Sequence, residues 1–360
     1  MRVHLVDPSA YTPPYDHALA AELARAGLDV ELHTSRFLYG PTPRPNGYLV
    51  DERFYGASTR PRVARSRARI AVKLAEHVPE MLAYRRAARR ADVVHFQWLT
   101  VQPVDWALLP SGRPRVLTAH DVIPREPRPG QIAATKRLVH SMDAVVVHSQ
   151  HGAGRLEREL GLPRERIRVI PVGVFDHYTR IPDKKPLPDE LANVEGPVIL
   201  FFGLLRPYKG IDVLLEAFRQ IEGAELWVVG MPRMPLEPLR ELAARAPGRV
   251  RFVPRFIHDD EVAAYFERAD VVALPYREID QSAVLYTALA FEKPLVLSDV
   301  GGFGELGGAA RLVPPGDAGA LASALSASLA DPTPATVGDE YSWDAIARRH
   351  VDLYSELVAP

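Results

Sequence analysis

The chain has 360 residues, beyond the about 250 to 300 at which a single hydrophobic core stops growing, so two domains are the default expectation. A hydrophobic content of 47% and a charged content of 25% are ordinary for a globular protein, and no apolar run reaches the about 18 residues that span a bilayer, which argues against an integral membrane protein. There is no cysteine, hence no disulfide, thiolate nucleophile or Cys-type zinc or iron–sulfur site.

The opening MRVHLVDPSA lacks the apolar centre of a secretion signal and reads as a first strand, with the cytoplasm as the expected location. The net charge of −1 conceals an asymmetry: residues 1–180 carry 27 Lys/Arg against 18 Asp/Glu, and 181–360 carry 17 against 27. Two solvated domains attracting each other across a cleft account for it; an anionic partner of the basic half is the alternative. Arginine outnumbers lysine 38 to 6, so each lysine is informative.

In chain order, RVHLVDP, DVELHTS, DVVHFQW, RVLTAHD, AVVVHS and RVIPVGV are short β-branched runs separated by helical segments, the pattern of a parallel sheet with crossover helices. The first helix takes Asp16 as N-cap and Gly27 as its stop. A Pro- and charge-rich stretch without clean period, 177–194, is expected to be a linker. The alternation then restarts with PVILFFGLL, AELWVVG, VRFVPR, DVVALPY and PLVLSDV, with helices near 210–220, 236–246, 259–268 and 282–291. The prediction is α/β with two doubly wound halves and no residue-level repeat between them.

Ligands of open α/β sheets bind beyond the carboxyl ends of the strands. FFGLLRPYKG, 201–210, falls at such an end: Gly203 permits close backbone approach, and Arg206 and Lys209 add charges beside the next helix. The pair suits a diphosphate, against the bland reading of a turn with surface cations. This is neither the GxGxxG nor the P-loop pattern. In PYREIDQSAVLYTALAFEKPLVLSDVGGF, 275–303, Ser282 reads as the N-cap of a helix whose free amides at Ala283, Val284 and Leu285 form a second anion seat. Together the seats would hold a sugar nucleotide's diphosphate without a metal. No metal cluster is expected: His148 and His151 lack a further ligand and are read as flanking a surface helix.

The order of FFGLLRPYKGIDVLLEAF, AELWVVG, DVVALPY, the Ser282 helix, KPLVLSDVGGF and a terminal SWDAIARRHVDLYSEL, with VLTAHD and RVIPVGV before them, resembles glycosyltransferase family 4. The resemblance covers most of the chain and is weakest over 36–90. It implies a GT-B fold, two doubly wound Rossmann-like domains facing across a cleft with a C-terminal helix crossing back to the first. The expected divisions are an acceptor-side domain 1–176, linker 177–194, nucleotide-sugar domain 195–338 and crossover helix 339–360. By the same resemblance Arg206 and Lys209 bind the donor diphosphate and the Ser282–Val284 amides its distal phosphate. His120 would meet the donor sugar, and the loop of Arg255 and Phe256 the base. The family's two donor-site glutamates, eight positions apart, align with Ile279 and Thr287; Glu278 and Asp280 flank the first place. Retaining enzymes of this kind need no protein nucleophile, because the leaving phosphate takes the acceptor's proton.

On the acceptor side, Pro13, Pro14 and Tyr15 stand where the family has a glycine-rich loop, and Gln97 and Trp98 follow DVVHF. A buried tryptophan and a satisfied core histidine at 120 are the competing readings. The stretch 60–90 holds ten Lys/Arg and two Glu; it is either a solvated helix with a small-alanine apolar face or a contact for anionic lipid.

The expected function is metal-independent retaining transfer of a sugar from a UDP- or GDP-sugar to a hydroxyl acceptor, in glycoconjugate, polysaccharide or glycoside synthesis, with no cofactor and no nucleic-acid partner. The enzyme would be cytoplasmic, or peripheral on the membrane's inner face. The alternatives are a GT-B sugar-nucleotide epimerase, which needs acid/base groups around the sugar, and a non-catalytic nucleotide-sugar-binding protein.

Overall fold

A computed structural model describes every residue except Arg65, Thr100, Arg125, Glu126 and Pro360. The chain divides into two compact units, Met1–Val172 with Glu340–Pro360, and Gly173–Asp339.

The first unit is built on a parallel sheet of β1 (Arg2–Asp7), β2 (Asp29–Ser35), β3 (Leu49–Phe54), β4 (Val93–Phe96), β5 (Arg115–Thr118), β6 (Ala144–Val147) and β7 (Ile167–Val169), in spatial order β3-β2-β1-β4-β5-β6-β7. Its central strands are covered on both faces, which is why they read as β-branched runs; β4 and β6 are buried throughout. The chain reverses direction of winding between β1 and β4, and the loops that leave these strands meet there. LVDERF was not expected as a strand: β3 lies at the sheet edge and is only partly buried.

The first helix, Pro13–Arg25, corrects the N-cap assignment. Thr12 is the N-cap, Pro13 and Pro14 take positions where a missing N–H costs nothing, and Asp16 falls in the first turn, buried. Gly27 does end the helix, at φ +88°, with Leu28 N–H donating to the Leu23 carbonyl at 3.1 Å.

The last helix, Trp343–Val358, is capped by Ser342 Oγ, which accepts from Ala345 N at 3.2 Å, and it belongs to the first unit. It buries Trp343, Ile346, Ala347, His350, Leu353 and Tyr354, a helical-period stripe, against Pro13–Arg25. Each large member contributes about 1.5 to 3 kcal/mol of burial. Tyr354 Oη bonds His95 Nδ1 at 2.6 Å, while His95 Nε2 meets Thr118 Oγ1 at 2.7 Å. Tyr354→Phe would leave the buried His95 short of a partner, a loss of about 1 to 3 kcal/mol.

The basic stretch forms the helices Pro61–Ala64 and Arg69–Ala87, with Arg65 outside the described residues. His77, Met81 and Tyr84 face inward. Beside this inward line the helix does not carry only small alanines: Ile70, Leu74, Val78 and Leu82, four apart, are 72%, 51%, 40% and 45% exposed. The expectation of a small-alanine apolar face is corrected, because an amphipathic pattern does not say which stripe meets the core.

The second unit has a parallel sheet of β8 (Val198–Phe202), β9 (Glu225–Val229), β10 (Val250–Val253), β11 (Val271–Leu274), β12 (Leu295–Ser298) and β13 (Arg311–Val313), ordered β10-β9-β8-β11-β12-β13. β13, three residues at an edge and mostly exposed, carries too little pattern to be foreseen. The helices Ile211–Phe218, Glu237–Ala243, Asp259–Arg268 and Ala283–Ala290 lie where expected. The stretch 177–194 is built into this unit: Tyr178 is buried with its Oη 3.4 Å from Asp259 Oδ1, and Lys185 N–H donates to the Asp260 carbonyl at 2.8 Å.

Candidate active site

In the second unit the winding reverses between β8 and β11, and the two loops singled out by their cations and glycines leave the carboxyl ends of these two strands. Gly203 sits at φ +109°, a conformation that side chains avoid; a Cβ there would lie 3.0 Å from Val284 Cγ2 and 3.1 Å from Lys209 Nζ. Gly203, Lys209 and the start of the helix Ala283–Ala290 therefore converge. Lys209 is only 7% exposed, and its ammonium lies 4.8 Å from the centroid of the Tyr276 ring. Arg206 precedes it, half-buried, and no carboxylate among the described residues pairs with it.

The geometry narrows the amide seat. Ser282 is the N-cap, but its side chain does not cap; its own N–H goes to Gln281 Oε1 at 3.0 Å, and Leu285 N–H donates to the Ser282 carbonyl at 3.1 Å. Ala283 and Val284 keep the helix-start amides that the helix itself cannot satisfy. The expectation for Leu285 is corrected, because the first turn closes on Ser282.

Arg277 is a residue the sequence reading passed over. Its N–H donates to the Tyr208 carbonyl at 2.7 Å, and its guanidinium reaches the Pro207 carbonyl and, in a fork at 2.9 and 2.6 Å, Asp212. It ties the loop after β11 to the loop after β8, and the Asp212–Arg277 pairing holds the Asp212 carboxyl below its usual range against the opposing effect of burial. A lone arginine after a strand gave no signal of this, since its partner lies 65 residues away.

The remaining donor-side candidates are placed as follows. Arg255 is exposed and its fork is held by Glu261 at 2.9 and 2.6 Å, with Phe256 beside it 5.4 Å from the His258 ring; only the guanidinium face is left for stacking. Glu278 is exposed and Asp280 buried, on either side of the buried Ile279. Thr287 is buried and donates its hydroxyl proton to the Ala283 carbonyl at 3.0 Å, so its oxygen can act toward a ligand only as an acceptor.

In the first unit, Tyr15, Gln97, Trp98 and His120 come together at the carboxyl ends of β1, β4 and β5. The Trp98 indole is nearly parallel to the His120 ring, with centroids 5.0 Å apart, and Tyr15 meets that ring edge-on at 4.9 Å. Trp98 Nε1–H donates to Thr12 Oγ1 at 2.9 Å, and Pro14 is half-buried in the first turn of the adjoining helix.

His148, expected at a surface helix, is instead buried beside His120. Its Nδ1 lies 2.9 Å from the Ile170 carbonyl, which can only accept, so Nδ1 carries the proton. Burial brings its pKa down to about 4, the ring is neutral, and its bare Nε2 accepts from His120 Nδ1 at 3.1 Å. Burial and the neighbouring His148 likewise hold His120 well below the usual imidazole range. The bare His120 Nε2 then faces Gln97 at 3.3 Å, and donor matches acceptor when the Gln97 amide presents its Nε2–H. His120 is thus a neutral ring locked in one tautomer, and it reaches a sugar hydroxyl only by exchanging the long Gln97 contact.

Asp7, at the end of β1, accepts from the Ser9, Tyr11 and Thr12 amides at 3.1, 2.5 and 3.3 Å and shapes the loop before Pro13. Asp16 lies against it. Burial raises both carboxyls, Asp16 further because of the Asp7 charge.

Residues 196–331 match the family described as Glycosyl transferases group 1, and residues 15–176 the one described as Glycosyltransferase Family 4. A D-inositol 3-phosphate glycosyltransferase of Xylanimonas cellulosilytica is 29% identical over 303 residues, covering 75% of this chain and 68% of the relative. Among solved structures, sucrose-phosphate synthase from Thermosynechococcus elongatus superposes with a TM-score of 0.76 at 23% identity, covering 99% of both chains. The Anabaena protein HepE, in complex with UDP and glucose, gives 0.66 at 19%, over 99% of this chain and 95% of its own. The two family matches fall one on each unit, both sheets are those of the GT-B architecture, and the chain is a glycosyltransferase that belongs to glycosyltransferase family 4.

Proposed function

We propose that the protein is a metal-independent, retaining glycosyltransferase that takes its sugar from a nucleoside diphosphate donor. The observation that carries this is the convergence of Lys209, Gly203 and the Ala283 and Val284 amides at the winding reversal of the second sheet, with Arg206 beside them. Fixed cations and helix-start amides supply the charge that a divalent ion would otherwise give to a departing diphosphate. In the step itself, the acceptor oxygen bonds to the anomeric carbon, the bond from that carbon to the phosphate oxygen breaks, and the acceptor's proton passes to the leaving phosphate. The products are a glycoside and a nucleoside diphosphate. Lys209 and Arg206 stabilise the leaving group; Ala283 and Val284 hold its distal phosphate; Arg255 and Phe256 offer a stacking surface to the base. Glu278 and Asp280 stand nearest the place of the missing glutamates, and in the first unit His120, Trp98, Gln97 and Tyr15 form a rigid cluster suited to an acceptor.

A thermal-shift screen of nucleotide sugars tests the donor class, since a ligand of the native state raises stability by mass action. Slow release of nucleoside diphosphate from the selected donor, accelerated by a hydroxyl acceptor, is the expected result. Binding without any release would favour a non-catalytic protein.

The acceptor side carries a further proposal, peripheral contact with an anionic membrane surface. Its support is the exposed row Ile70, Leu74, Val78 and Leu82, flanked by exposed Arg62, Arg67, Arg86, Arg89 and Arg90. Apolar side chains enter the headgroup boundary while cations meet lipid phosphates. Among the described residues, no helix is long and apolar enough to cross a membrane.

A further inference from the structure

One cluster belongs to none of these sites. His4 of β1 is paired in register with Glu31 of β2, and His33 follows Glu31 by two residues, so the alternation of a strand puts all three on one face of the first sheet. His4 and His33 are fully buried, with rings 4.3 Å apart, and Glu31 is half-buried. Glu31 Oε2 lies 3.6 Å from His4 Nε2 and 3.4 Å from His33 Nε2, and one ligand atom from each residue fits within 4.8 Å of the others. Neither Nε2 has a hydrogen-bond partner. Two buried imidazole nitrogens turned toward one carboxylate and left without a hydrogen bond call for an explanation.

We propose that His4 Nε2, His33 Nε2 and Glu31 Oε2 are the protein ligands of a divalent transition metal of the zinc class, bound with a water as fourth ligand. Tetrahedral zinc holds nitrogen and oxygen at about 2.0 to 2.1 Å, so its ligands are spaced about 3.3 Å from one another, close to the two distances to Glu31. An imidazole-rich set with one carboxylate selects zinc, cobalt or nickel over calcium or magnesium. The outer residues suit the role as well: Asp51, aligned with His33 on β3, has Oδ2 3.4 Å from His33 Nδ1, outside hydrogen-bond geometry, and its charge favours the proton on that nitrogen and the lone pair on Nε2. Tyr84 Oη lies 3.4 Å from His4 Nδ1. Two cations oppose the ion. Arg2 Nε is 3.9 Å from Glu31 Oε1, and Arg53 is paired with Asp51, its Nε 2.7 Å from Oδ2. The half-buried Glu31 is the edge through which ion and water enter. The site ties β1 to β2, and its role is structural.

The test uses tag-free full-length protein, stripped with EDTA and desalted. Zinc alone is titrated by calorimetry, and cobalt by its visible absorption. The expected result is one equivalent of zinc, a higher melting temperature and the intense band of four-coordinate cobalt. Glu31→Gln and His33→Asn should weaken zinc binding at least tenfold, and Asp51→Asn about 10- to 100-fold through orientation of His33, while His151→Ala on the exposed helix leaves it unchanged. Should the buried His33 variant not fold, the half-buried Glu31→Gln variant decides alone. Zinc binding that survives Glu31→Gln unaltered, or a cobalt spectrum of octahedral type, overturns the assignment.

Discussion

Replacing Lys209 by methionine removes one charge and keeps the aliphatic stem, which separates charge from packing. In the free protein the ammonium gains a contact with the Tyr276 ring at 4.8 Å, worth about 0.5 to 2 kcal/mol, but at 7% exposure it also bears a desolvation cost of similar size. The two oppose each other, so the net change in stability should stay within about 1 kcal/mol, or about 2 to 4 °C in melting temperature for a unit of this size. With donor bound, the lost charge faces a developing anion in a water-poor loop. Its removal should cost about 2 to 4 kcal/mol, about 30- to 1,000-fold in kcat/KM. The assay is nucleoside diphosphate release from the donor selected by thermal shift, with melting followed by circular dichroism. A variant that melts normally and retains a rate within about threefold of wild type would refute the role of Lys209. A loss of rate accompanied by a fall of ten or more degrees, roughly 3 kcal/mol or more, would make the residue structural. Arg206→Ala, with no carboxylate partner to lose, should show the same loss of rate at unchanged stability.

Transfer activity is expected to persist in excess EDTA at a temperature well below the melting point of the stripped protein; activity restored only by added divalent metal would contradict the proposed chemistry. Because the Thr287 hydroxyl proton is committed to the Ala283 carbonyl, calorimetry should find the preferred nucleoside diphosphate and its 2′-deoxy form within about tenfold in affinity, about 1.4 kcal/mol; a larger gap would mean that Glu278 or Asp280 holds the ribose. Burial brings His17, His148 and His350 each to a pKa of about 4 in the folded protein against about 6.5 unfolded, so the unfolded state takes up protons first and stability falls as pH drops from about 6.5 toward 4. The ceiling is about 1.4 kcal/mol per histidine per pH unit, and a melting temperature that does not change between pH 7 and 5 would show that these rings are not held neutral. Leu74→Glu should abolish co-sedimentation with anionic vesicles and leave donor hydrolysis unchanged; undiminished co-sedimentation would remove the membrane proposal.

The runs VILFF and VVAL were legible as strands because a parallel sheet covered on both faces demands unbroken apolar sequence, and Gly203 with Lys209 was legible as a ligand turn because close approach and fixed charge are local needs. What a residue 27 or more positions away contributes was not. Arg277 is bound to Asp212, His120 is oriented by His148, and His4 meets Glu31 and His33, each through strand order, and the hydrogen bonds of a parallel ladder are indifferent to which buried strand supplies them. The exposed row from Ile70 to Leu82 shows the same limit from the other side: periodicity marks a helix with an apolar stripe, and only the packing of Met81 and Tyr84 into the first unit decides that the stripe faces outward. Local conformation follows from propensity and period over a few residues, whereas the site depends on which strands become neighbours, and that is decided by burial summed over the whole unit.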